Sequence, residues 1–148
     1  MHPPGTTQAI ITNFKQAGDD VIAGSWVQPS DSIPSVVTQP AAIGGVATIW
    51  CNGLGPVSPV PATGDLPQPS GTAPVTEKAV RVFVGGKVAT VLGAVLQSSS
   101  VGLNQINIII PEGVTPGEAV PIVIEVECLD GTKIRSREDA MIAVRAAP

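Results

Sequence analysis

The chain has 148 residues, a length that suits one domain burying roughly 70% of the surface its unfolded form exposes. Charged residues make up 14% against 43% apolar, which excludes disorder driven by charge and low hydrophobicity. The net charge of −4 comes from 12 acidic and 8 basic residues scattered singly, with no basic stripe and no aromatic platform for nucleic acid. No apolar run approaches the ~18 residues of a membrane span, and the opening MHPPGTTQ has neither a charged nor an apolar leader segment, so no membrane insertion is expected. Valine and isoleucine dominate the apolar set, leucine is sparse, and 16 glycines with 15 prolines imply many turns. With no sustained helical apolar spacing, an all-β domain follows.

Residues 1–7 read as a flexible start to a single domain over 8–148. Residues 8–14 (QAIITNF) form a first strand, closed by a polar turn over 15–20, and residues 21–27 (VIAGSWV) return as its hairpin partner despite Gly24. Residues 28–45 are mostly loop around a short edge run at 35–38. Residues 46–51 (VATIWC) alternate strongly, and NGLGP over 52–56 turns the chain with two glycines. Residues 57–79 carry Pro59, Pro61, Pro67, Pro69 and Pro74 with Gly64 and Gly71, and read as a long Pro-rich surface connection.

Residues 80–84 (VRVFV) place Val80, Val82 and Val84 inward and Arg81 and Phe83 outward. Gly85 and Gly86 then turn into residues 87–92 (KVATVL), a hairpin by the two-glycine rule. Residues 101–127 read as the centre of the fold, two strands joined by a short turn in a hairpin-like unit. Ile106, Ile108 and Ile110 alternate with Gln105, Asn107 and Ile109, while Val120, Ile122, Ile124 and Val126 alternate with Pro121, Val123, Glu125 and Glu127. Pro111, Gly113, Pro116 and Gly117 interrupt any continuing ladder between them. A last strand or pair covers 133–137 and 140–144. Seven to nine short strands with turns every 8 to 12 residues describe a β-sandwich.

Few residues suit chemistry. Cys51 and Cys128 lie 77 positions apart, fit no metal spacing and have only His2 to assist them, which leaves a disulfide or two buried thiols. Trp26 and Trp50 suit a sugar-stacking platform or, with so few other aromatics, simple core packing. Asp19 with Asp20, and Glu127 with Asp130, lack the dense oxygen spacing of a calcium loop and read as solvated turn carboxylates. Gly85-Gly86-Lys87 follows a strand but opens another strand, so no helix N-terminus is there to hold phosphate. With no nucleophile beside a base, the chain is expected to be no enzyme and to need no metal or cofactor.

The segments GGVATIWCNGLGPV, VRVFVGGKVATVL and VGLNQINIIIPEGVTPGEAVPIVIEV together resemble the acidobacterial C-terminal Ig-like domain family, with the order of IPT/TIG domains. Gly53, Leu54, Gly55, Pro56, Gly85, Gly86, Gln105, Asn107, Pro111, Gly117 and Pro121 carry the likeness. Asn104 departs from it, standing where an aromatic residue is common, and Cys51 and Cys128 are additions. The resemblance implies an Ig-like (IPT/TIG-like) Greek-key β-sandwich at the end of a large secreted bacterial protein, in an extracellular or cell-surface setting. Under its strand order, Cys51 and Cys128 end strands in opposing sheets that run the same way, so a disulfide between them is expected or else two buried thiols.

The expected function is a non-catalytic structural or interaction module. Low charge and a positive mean hydropathy, with Phe83 and Ile109 facing outward, point to a protein partner, either a neighbouring domain or copies of itself. Two alternatives stand beside it. One is a filament subunit whose N-terminal strand completes the sheet of the next copy; the other is a carbohydrate-binding module that uses Trp26 and Trp50 on a surface polysaccharide.

Overall fold

In a computed structural model the chain is described over residues 10–17, 20–27, 40–66, 75–76, 79–98, 100–128 and 130–148, with β1, β2 and β6 described by their backbone. The expected flexible start, the edge run at 35–38 and the middle of the Pro-rich connection lie outside the described residues. Strands, with no helix among the described residues, run in order: β1 Ile10–Ala17, β2 Asp20–Val27, β3 Ala41–Ala42, β4 Val46–Cys51, β5 Val57–Ser58, β6 Val75–Thr76, β7 Ala79–Val84, β8 Lys87–Leu96, β9 Asn104–Ile109, β10 Gly117–Glu127, β11 Lys133–Arg135 and β12 Met141–Arg145. The all-β reading holds, with twelve strands rather than seven to nine because several are only two or three residues long.

These strands make one hydrogen-bonded sheet in the order β2-β1-β4-β9-β8-β7-β10-β12-β3, with β11 beside β10 and the β5–β6 pair beside β8. The path bends back on itself and is partly barrel-like. β8 makes the first bend: its start pairs with β7, through Val82↔Ala89 and Phe83↔Val88. The rest of β8 pairs with β9, from Thr90↔Ile109 to Leu96↔Asn104. The register slips between Val91 and Gly93, so Leu92 is an extra residue, and such a bulge sharpens the local twist where the strand changes partner.

The return bend lies between β3 and β4. β3 runs parallel to β12, and the Ile43 N–H donates to the Arg145 carbonyl at 3.1 Å. The Gly44 N–H donates to the Ile110 carbonyl, and the Ile110 N–H donates to the Gly45 carbonyl, both at 2.9 Å. One short turn thus bridges the end of β12 and the end of β9. Gly44 sits at φ 79, a left-handed conformation that costs other residues about 1–2 kcal/mol.

Alternation fills the interior. Ile49, Ile106, Ile108, Ile110, Val82, Val84 and Ile142 are buried almost completely, each stabilising the fold by roughly 1.5–3 kcal/mol against exposure. The expected inward series on β7, β9 and β10 all join this cluster, with Val80 and Ile124 packed at its margin.

The hairpin-like unit over 101–127 is corrected. β9 pairs with β4 and β8, whereas β10 pairs with β7, β11 and β12. Each strand has both hydrogen-bonding edges occupied by other partners. The connection between them crosses the core instead, with Ile110 and Val114 buried along it. β11 and β12 likewise pair with β10 rather than with each other. The polar turn expected over 15–20 is shorter, since β1 runs on to Ala17, and the Pro-rich connection starts and ends in the paired strands β5 and β6.

The β7–β8 turn is as expected, with Gly85 and Gly86 at φ 55 and 76. The two glycines differ in surroundings. A Cβ on Gly85 would meet Val120 Cγ1 at 3.1 Å and Val114 Cγ1 at 3.3 Å, whereas a Cβ on Gly86 meets nothing within 4 Å. Gly86→Ala should therefore cost about 1 kcal/mol from backbone strain alone, and Gly85→Ala roughly 2–3 kcal/mol as overpacking adds to it. Urea unfolding of both variants checks this, and equal losses would contradict it.

Candidate interaction surface

Residues that point away from the core along β8 and its neighbours form an apolar band. Val88 lies across from Phe83 on β7, Thr90 lies across from Ile109 on β9, and Ile109 lies across from Val46 on β4. Val88 and Thr90 share a face of β8, so the row Phe83, Val88, Thr90, Ile109, Val46 continues round the bend. Val88 is 53% exposed and Leu92, on the bulge, 56%; Phe83 and Ile109 are half-buried.

Phe83 is not a bare ring. The Arg81 and Arg135 guanidinium groups lie over it, 5.5 and 5.3 Å from its centroid. Both arginines also reach Glu125, at 3.7 and 3.6 Å. Cross-strand pairing explains the assembly, since Glu125 is the ladder partner of Arg81 on one side and of Arg135 on the other. Half-exposed ion pairs of this kind are worth about 0.2–1 kcal/mol each. What they add is orientation: Glu125 holds two flat cations on one aromatic face.

Beyond Ile109 the outward face of β4 and β9 turns polar. The Thr48 hydroxyl donates to Asn107 Oδ1 at 2.8 Å, and Gln105 Nε2 donates to the same oxygen at 3.1 Å. The alternating Gln and Asn of QINI thus fix each other and the neighbouring strand. Trp50 is half-buried at the end of β4. The register lines Trp26 up with Thr12, which pairs with Thr48, so the two tryptophans occupy neighbouring rows two strands apart.

Between the end of β4 and the facing β10–β11 region lies a cleft of about 440 Å³, walled by Ile49 and Cys51 on one side and Ile124, Val126 and Ile134 on the other. Ser136 holds its rim, accepting the Ile124 N–H at 2.9 Å. Asn104, the departure from the expected aromatic, is the ladder partner of Cys51 and is only 4% exposed. Its position therefore belongs to the interior, not to a surface role.

Cys51 and Cys128 are half-buried free thiols. Asp19 and His2 lie outside the described residues. Asp20 opens β2, Glu127 ends β10, and Asp130 Oδ1 accepts the Thr132 N–H at 2.9 Å within a turn. Among the described residues no three His, Cys, Asp or Glu side chains gather where a metal ion could sit. The interaction residues expected from the sequence are thus spread: Phe83 and Ile109 share the band, while Trp50 sits apart from it. The guanidinium cover of Phe83 and the polar cluster at Asn107 were missed, though the QxN alternation signalled the second.

No protein-family model, no curated protein and no solved structure matches the chain.

Burial lifts the Cys51 thiol from 9.0 to about 11, because the thiolate loses water on the cleft wall. Near pH 8 the reactive thiolate fraction should drop about a hundredfold, so alkylation of Cys51 by iodoacetamide should be slower by that factor in the folded chain than in urea. The linked stability term is full below pH 9.0 and is lost as pH rises through about 11, because the unfolded chain releases that proton first. Equal alkylation rates in the folded and unfolded chain would contradict the burial.

Proposed function

We propose that the chain is a non-catalytic structural and interaction module of a secreted or surface-displayed bacterial protein. In this reading it is an Ig-like sandwich akin to the acidobacterial C-terminal Ig-like domains, and it works by laying its sheet surface against a protein neighbour. The observation that carries the reading is the outward apolar band. A sheet with one buried and one solvated face has polar residues at its outward positions. Here Val46, Phe83, Val88 and Ile109 stand at them, with Leu92 on the bulge between. The two halves of antiparallel strands, joined by connections that cross the core, suit a Greek-key sandwich.

The charges beside the band favour a partner matched by shape rather than by charge. Arg81 and Arg135 are balanced by Glu125 and Glu138. In its parent protein the band would be covered by a neighbouring domain or by a second copy. A filament reading is favoured by a separate observation: β1 pairs with β4 through Ile10↔Trp50 to Asn13↔Ala47, outside the path that bends from β4 round to β3. The same β4 edge would accept an equivalent segment from the next copy.

An isolated chain has no neighbouring domain to cover the band, so it should associate weakly with itself. Light scattering after size exclusion should show a mass rising above 15.0 kDa with concentration. A Val88→Lys, Leu92→Lys variant should stay at the monomer mass with little change in Tm, since both side chains are already exposed. A wild-type chain that remains monomeric throughout, or a variant that associates equally, would overturn the proposal.

A further inference from the structure

The two cysteines stand at one end of the cleft on opposite walls. On β4 the inward series of Ala47 and Ile49 continues to Cys51, which packs against the core. On β10 the inward series Ile122, Ile124 and Val126 continues to Cys128, because alternate residues share a face. Ile49 and Cys51 form one wall of the cleft, and Ile124 and Val126 the other. Cys128 is held in place by its backbone: its N–H donates to the Thr132 carbonyl at 2.7 Å, and its carbonyl accepts the Gly131 N–H at 2.9 Å. Both thiols are half-buried, within reach of a small reagent but not freely solvated.

We propose that Cys51 and Cys128 form an oxidation site, a disulfide that ties β4 to β10 and closes this end of the cleft. Among the described residues these two strands share no ladder. β4 is bonded to β1 and β9, and β10 to β7, β11 and β12. The bond would be the one covalent tie between the two halves of the sheet path. A disulfide needs its Cα atoms within about 4.4–6.8 Å, whereas facing sheets stand about 10 Å apart. The walls must draw together as it forms, and the cleft supplies the room. The chemistry balances with a small-molecule disulfide as oxidant. One cysteine thiolate attacks a sulfur of oxidised glutathione and expels glutathione thiolate. The second cysteine, after losing its proton to solvent, attacks the protein sulfur of that mixed disulfide and expels a second glutathione. The protein loses two hydrogens, and the oxidant becomes two glutathione molecules.

The test is to incubate the folded chain with oxidised glutathione at about pH 9, where thiolate is available, and to read intact mass, the non-reducing peptide map and Tm. The expected product is monomeric and two hydrogens lighter, with the Cys51 and Cys128 peptides linked. Its Tm should be higher on the order of 10 °C, because the bond closes a 77-residue separation in the unfolded chain. Cys51→Ser and Cys128→Ser single variants should fold and show no such rise. Glutathione retained on both cysteines, linkage only between chains, an internal bond that forms solely after denaturation, or a bonded chain with unchanged Tm would each overturn the proposal.

Discussion

The structure depends on β8 belonging to two halves of one sheet. Its first residues pair with β7 and its later ones with β9, with the bulge at Leu92 between Val91 and Gly93. Ten residues is long for a strand, and a flat strand of that length would hold its neighbours in one plane. Bending it brings β7 and β10 over β4 and β9. The inward positions on both sides then meet as a single cluster, in which Val82 and Val84 join Ile49, Ile106 and Ile108.

The same bend explains the outside. Side chains on the convex face of β8 are spread apart rather than packed together, so Val88 and Leu92 gain little burial from neighbours in their own sheet. Phe83 finds partial cover through Arg81 and Arg135, whose charges Glu125 balances. Further along, Thr48, Gln105 and Asn107 satisfy one another. The band between these two polar assemblies is what a neighbour would cover, and the interior cleft lies on the opposite side of the sheet from it.

Local features were legible in the sequence. The VRVFV-GG-KVATVL hairpin could be read because its alternation, turn residues and pairing all fall within 14 positions of one another. The inward isoleucines of β9 were legible for the same reason, since a period of two needs no knowledge of partners. Pairing between distant segments was not. Nothing in PEGVTPG distinguishes a turn joining neighbours from a crossing between halves of the sheet, and Pro111 and Pro116 are compatible with both. The cover over Phe83 depends on Arg135, far along the chain but next to Glu125 by register. Two-residue strands such as β5 and β6 are too short to show a period at all.

The central claim is that one cooperative core extends through β8 and is closed by the Ile43–Gly45 turn. Native-state amide hydrogen exchange tests it most directly, because it resolves which strands open together. The account predicts that Ile106 and Ile108 on β9 and Ile122 and Ile124 on β10 exchange only by global unfolding, with one common free energy, and that the bonded Gly44 and Ile110 amides are protected with them. Separate, unequal opening of the β4–β9 and β7–β10 halves would show two sheets that merely touch and would contradict it.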